Sequence, residues 1–190
     1  DLTGTILTGA NLTNVRLTGA DLSNAIFIGA ILTGADMESN WDCQFCHKID
    51  LTGAILTGAD FTNANLENLD LSYKDLTGTI LTGAKLASVN LTGVDLSGKD
   101  LTGTNLVAVD LSGMDLTGTI LVGADLSYAN LTGVDLSGKD LSGTILAEAD
   151  LSNSILTGVD LSGKDLTGVN LTGVDLSGRD LTGTKLRGAD

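Results

Sequence analysis

The chain has 190 residues, with 25 Gly, no Pro, 3% aromatic residues and a formal net charge of −14. That charge excludes a nucleic-acid-binding surface built on phosphate contacts, which relies on Lys and Arg to displace counterions. No apolar run approaches the roughly 20 residues of a membrane helix, and so narrow a composition points to internal repeats.

From the first residues the period is five. Leu2, Leu7, Leu12, Leu17, Leu22, Phe27, Leu32 and Met37 recur at that spacing. A strand requires period 2 and a helix about 3.6, so a five-residue period fits neither. It fits a coil that turns a corner every five residues, with the large apolar residue and the small residue two before it pointing inward. The sequence opens at "DLTGT" with no initiator Met and no signal peptide, so it reads as a processed or excised chain whose compartment is not specified.

The period breaks at residues 38–50, where "NWDCQFCHKID" holds both cysteines (Cys43, Cys46), the one histidine (His47) and the one tryptophan (Trp41). Counted back from Leu51, central positions fall at Cys46 and Trp41, so a continuous coil with one deletion is one expectation. A loop that leaves the coil and returns is the other. Cys43-x-x-Cys46-His47 resembles the attachment motif of c-type cytochromes, which implies thioether bonds from both thiols and His47 as the iron ligand. Met37 is then the nearest sixth ligand, and export would be required. A disulfide or a pair of free thiols is the competing reading. Zinc on Cys43, Cys46 and His47 would need a fourth ligand such as Asp42.

The repeat resumes at Leu51 and runs to Leu186, with Phe61 the one departure from Leu, giving 36 repeats in all. Every Gly lies two residues after a central position, as Gly4, Gly53 and Gly188 do. A type II turn over Leu-Thr-Gly-Ala requires a positive φ there, and the Asn substitutes (Asn14, Asn24, Asn63, Asn68, Asn153) tolerate it next best.

These units, A(D/N)L(T/S)G, resemble the pentapeptide-repeat family over nearly the whole chain. The resemblance implies an all-β fold, a right-handed quadrilateral β-solenoid with four repeats per coil. At the usual strand spacing of about 4.8 Å, this corresponds to about nine coils and a single rod roughly 43 Å long spanning residues 1–190.

With 20 residues per coil, Asp75, Asp95, Asp115 and Asp135 form one outward column, screened by solvent or binding calcium. The inward small position holds Lys74, Lys99, Lys139, Lys164 and Arg179. These side chains are expected to snorkel outward toward Asp100, Asp140 and Asp180, because a buried unpaired cation is too costly.

No Ser/His/Asp arrangement, phosphate loop or separate acid–base pair is present, so no enzymatic activity is expected. The leading expectation is a structural and interaction rod that self-associates end to end as a segment of a stack or filament. It has no direct nucleic-acid binding and no membrane insertion, and carries one c-type haem for electron transfer if the Cys/His motif is used. The alternative is an acidic DNA mimic, because the gyrase-protecting pentapeptide-repeat proteins resemble this chain in size and acidity. Those proteins carry a dimerising C-terminal helix and more aromatic central residues, and this chain departs on both points.

Overall fold

The structure is a computed structural model that describes residues 1–39 and 48–190. The chain divides into two compact units, Asp1–Asp95 and Leu96–Asp190. Each is built from the same device. The C=O of a central residue accepts the N–H of the residue three later, as Leu7 does from Ala10 at 2.9 Å and Leu121 from Ala124 at 3.0 Å. The glycines at the third turn position all take positive φ, from 62° at Gly29 to 76° at Gly173. Asn is not their only substitute, since Tyr73, Ser88, Ala108, Tyr128 and Glu148 adopt φ of 54–60° at the same position.

Between turns the backbone makes single parallel bridges. In the first unit Ile6 pairs with Ile26 and Asn11 with Ile31; in the second Asp100 pairs with Ile120 and Asn105 with Asp125, each 20 residues on. One turn every five residues and one coil every 20 give four sides per coil. The central N–H of one coil donates to the next, as Leu106 does to Asp125 O at 2.7 Å. Backbone polar groups are thereby satisfied between coils instead of within long strands.

The inward residues form the core. Leu22, Phe27, Leu32 and Met37 are at most 1% exposed, and Ala25, Ala30 and Ala35 beside them are fully buried. In the second unit Leu101, Leu116, Leu136 and Leu166 hold the equivalent place. Each such Leu contributes about 1.5–3 kcal/mol of burial.

Residues on either side of the interruption fix its register. Asp21 pairs with Asp50, Ile26 with Ile55, Ile31 with Asp60 and Asp36 with Asn65, an offset of 29 where a coil takes 20. A continuous coil with central positions at 41 and 46 would put Leu51 over Leu32. Instead Leu22 N–H donates to Asp50 O, which seats Leu51 over Leu22. Met37 and Leu51 therefore occupy successive sides of the solenoid.

In the second unit the closing of the ladder goes largely with the size of the inward small residue, although in the first unit the steps onto Asp50 and Asn90 close after Ile49 and Val89. In the second unit the steps onto Asp135, Asp140, Asp160, Asp165, Asp175 and Asp180 have no bridge among the described residues. The residue before each is Val134, Lys139, Val159, Lys164, Val174 or Arg179. Steps that do close are preceded by smaller residues such as Thr119, Ala124, Ala129, Thr144 and Ala149, with Val169 the exception. A bulky or long side chain there spreads the ladder locally, because the interior has no void to absorb the extra volume.

Candidate functional site

Cys43, Cys46 and His47 lie outside the described residues, as do Trp41 and Asp42. Met37, the candidate sixth ligand, is described: it is 1% exposed at a central position, and its N–H donates to Asn65 O at 2.7 Å. Ser39 is likewise buried, its N–H 3.0 Å from Glu67 O. Beside them a cavity of about 590 Å³ is lined by Ser39, Lys48, Asp50, Asn68, Asp70 and Lys74.

Lys74, Lys139 and Lys164 hydrogen-bond to backbone carbonyls, not to the outward carboxylates expected from the sequence. Lys139 Nζ donates to Thr119 O at 3.0 Å, Lys164 Nζ to Leu141 O, and Lys74 Nζ to Leu51 O. Each side chain crosses to a backbone carbonyl of the preceding coil. The carboxylates acting on the Lys139 charge are Asp135 and Asp115, not Asp140. Asp140 feels Lys164 instead. The correction follows from alternation: a residue and its neighbour point to opposite faces of the extended backbone, so Lys139 and Asp140 diverge. Burial pushes the Lys74 and Lys139 ammonium groups below their ordinary pKa. Thr119 and Thr184 use the same inward position in the same way, their hydroxyls donating to Leu96 O and Leu161 O at 2.9 and 2.8 Å. Arg179 Nε is buried without a hydrogen-bond partner.

The outward Asp and Asn have a structural duty that the sequence reading missed. Oδ1 accepts the backbone N–H of the Ser or Thr two residues on, as in Asp110 with Ser112 (3.0 Å), Asn130 with Thr132 (3.1 Å) and Asp150 with Ser152 (2.8 Å). This side-chain-to-backbone bond is an Asx-type cap on the entry to each turn. The available signal was the fixed pairing of D/N with T/S across the central Leu. These bonds from Ser112 and Ser152 hold the Asp110 and Asp150 carboxyls below the usual range. Asp165 is lowered furthest, to about 2, by hydrogen bonds from Lys185 and Thr167.

Cations are confined to few outward positions. Arg16 and Lys85 in the first unit, and Lys185 and Arg187 in the second, belong to the fourth repeat of their coils. Arg16 lies 3.7 Å from Asp36 and Lys185 2.8 Å from Asp165. At such exposure these pairs add little stability. Apart from the exposed Lys48 beside the interruption, the other three sides show carboxylates without outward cations in the described repeats. A cavity of about 420 Å³ opens where the ladder is spread, lined by Met114, Asp115, Gly133, Asp135, Ser137 and Lys139. Among the described residues no three His, Cys, Asp or Glu converge to hold a metal, and no helix is long and apolar enough to cross a membrane.

Turns of positive φ at five-residue spacing, joined by parallel bridges between coils, define a four-sided β-solenoid. The chain belongs to the pentapeptide-repeat family: the model described as "Pentapeptide repeats (8 copies)" matches residues 1–38, 46–83, 59–98, 84–123, 124–163 and 165–190. Among solved structures, it is 33% identical to HetL, a pentapeptide repeat protein involved in heterocyst differentiation regulation from the cyanobacterium Nostoc sp. strain PCC 7120. That match covers 100% of this chain and 88% of HetL, with a TM-score of 0.32. Full-length QnrB1, a plasmid-mediated fluoroquinolone resistance protein, is 22% identical over 97% of this chain and 91% of its own, with a TM-score of 0.31. Rfr23 from the cyanobacterium Cyanothece 51142 is 28% identical over 70% of this chain and 84% of its own, with a TM-score of 0.28. No curated protein matches.

Proposed function

We propose that this chain is a non-enzymatic interaction scaffold, a solenoid whose repeats correspond to about nine coils and whose coils serve as units of a longer end-to-end stack. The observation that carries the reading is the use made of the outward polar groups. Asp and Asn oxygens cap their own turns, as Asp110 and Asn130 do, and the inward lysines satisfy carbonyls of the preceding coil. The chemistry of the repeat is thus spent on the repeat itself. Each coil offers the same pattern of donors and acceptors to the next, so a coil of another copy can continue the ladder. Sedimentation of this chain should show a concentration-dependent open series of species, shortened when a helical cap is fused after Asp190. A series unaffected by the cap would overturn end-to-end stacking.

Electron transfer is an extension resting on the sequence Cys43-x-x-Cys46-His47 alone. Its test is the native mass with the visible spectrum: covalent haem adds its mass and an absorbance band that survives denaturation, both lost in Cys43→Ala with Cys46→Ala. A colourless protein of unmodified mass removes haem from the function.

The second reading, mimicry of DNA by the gyrase-protecting kind of pentapeptide-repeat protein, is favoured by the three sides that bear carboxylates and, Lys48 apart, no outward cations among the described repeats. Relief of quinolone inhibition in a gyrase supercoiling assay would support it. No effect at stoichiometric excess would remove it.

A further inference from the structure

One side of the first unit breaks the acidic pattern. Ile6, Ile26 and Ile55 stack at the outward position before the central residue, joined by the bridges Ile6 to Ile26 and Ile26 to Ile55. That position elsewhere on the same side holds Asp75 and Asp95. Ile28, two residues after Ile26, points out of the same side, and Ile31 follows it round the corner at Gly29. Exposure is 71% at Ile6, 44% at Ile28 and 41% at both Ile31 and Ile55. The remaining outward side chains of this side in the first three coils are Thr8 and Thr57, so this side carries no charge there, and Asp60, bridged to Ile31 round the corner, borders the patch.

We propose that this isoleucine patch is the face on which a second copy of the chain docks, side by side, through a two-fold axis. Polarity selects the partner. A basic partner would gain its contacts on the carboxylate-bearing sides, not over five isoleucines. Two copies each carrying −14 repel across those same sides. Their favourable contact is therefore restricted to an uncharged surface facing an uncharged surface, and this patch facing its own copy supplies both. The shape is suitable, because rows of β-branched residues on a bridged ladder form a flat pleated surface of the kind that packs face to face at about 10 Å. An isologous contact uses the patch on both copies and closes at two, unlike the open series of end-to-end stacking.

The patch is also out of place in the repeat, which makes its test clean. Asp is the usual residue at position 55 of the repeat pattern and Thr at position 28, as Asp75 shows one coil on from Ile55 and Thr57 one coil on from Ile28. Ile55→Asp and Ile28→Thr thus restore ordinary repeat residues and leave the core untouched. The capped chain should sediment as a discrete dimer, each protomer 19.3 kDa plus the mass of the cap, tightening as salt screens the repulsion. The double variant, checked for an unchanged thermal transition, should dissociate at least tenfold more readily, whereas Ile120→Asp in the second unit should not. A capped chain that is monomeric at all concentrations, or a dimer that the double variant leaves intact, would overturn the proposal. Loss of the open series in the uncapped chain with the dimer retained would count against stacking only.

Discussion

The ammonium of Lys139 occupies the carbonyl of Thr119 at 3.0 Å, whereas two turns away on either side the equivalent acceptor is held by a backbone N–H. There Asn130 N–H donates to Val109 O and Asp150 N–H to Ala129 O, both near 3 Å. The equivalent bond from Asp140 N–H is replaced by the side chain, and Ile120 and Asp140 make no bridge.

Lys139→Ala should consequently close this step. Asp140 N–H gains Thr119 O, and its hydrogen exchange should slow by roughly tenfold, the worth of one net hydrogen bond. Exchange at Asn130, already bonded, should not change. Unaltered exchange at Asp140 in the variant would show that the lysine is not what holds the coils apart.

The turn glycines differ in what they tolerate. Gly98 has φ of 67° with open space around a Cβ, whereas at Gly118 (φ 71°) a Cβ would stand 3.3 Å from Gly98 Cα. Both alanine substitutions carry the left-handed penalty of about 1–2 kcal/mol, which Ala108 shows the fold can accommodate at φ 57°. Gly118→Ala should cost more than Gly98→Ala in denaturant melts, because backbone must also shift. Equal costs would mean that the inter-coil contact adds nothing.

Acid should weaken the fold in a defined direction. The carboxyls of Asp110, Asp150 and Asp165 are lowered in the folded protein. A carboxyl of depressed folded pKa stabilises above its unfolded value, and that contribution is lost as pH falls through the folded one. Melting temperature should fall below about pH 4 and continue falling toward pH 2. Asp110→Asn with Asp150→Asn keeps the capping oxygen, as Asn130 does, and should flatten part of that decline. An identical acid profile in the variant would refute the linkage to these caps.

In the core, Leu116 is 1% exposed. Leu116→Ala should cost about 2–5 kcal/mol by chemical denaturation, transfer and cavity terms together. A loss under 1 kcal/mol would be inconsistent with a close-packed interior column.

The corner every five residues, the inward Leu and small residue, and the positive φ at the glycines are all legible in the sequence. These are properties of a single repeat: turn geometry needs a residue without a Cβ penalty, and side-chain direction follows from the local backbone. Tyr73 and Glu148 at the same φ show that neighbouring coils can enforce the turn where local preference does not. Only the tertiary structure decided that Leu51 stacks over Leu22, because register across an interruption is settled by which coils pack, not by counting fives. It also decided where Lys139 goes, since the nearest carboxylate in sequence points away while the nearest acceptor in space belongs to the coil 20 residues back. The spread steps onto Asp135 and Asp140 arise for the same reason: the volume of Val134 or Lys139 acts on the coil beneath, and a five-residue unit contains no record of what lies there.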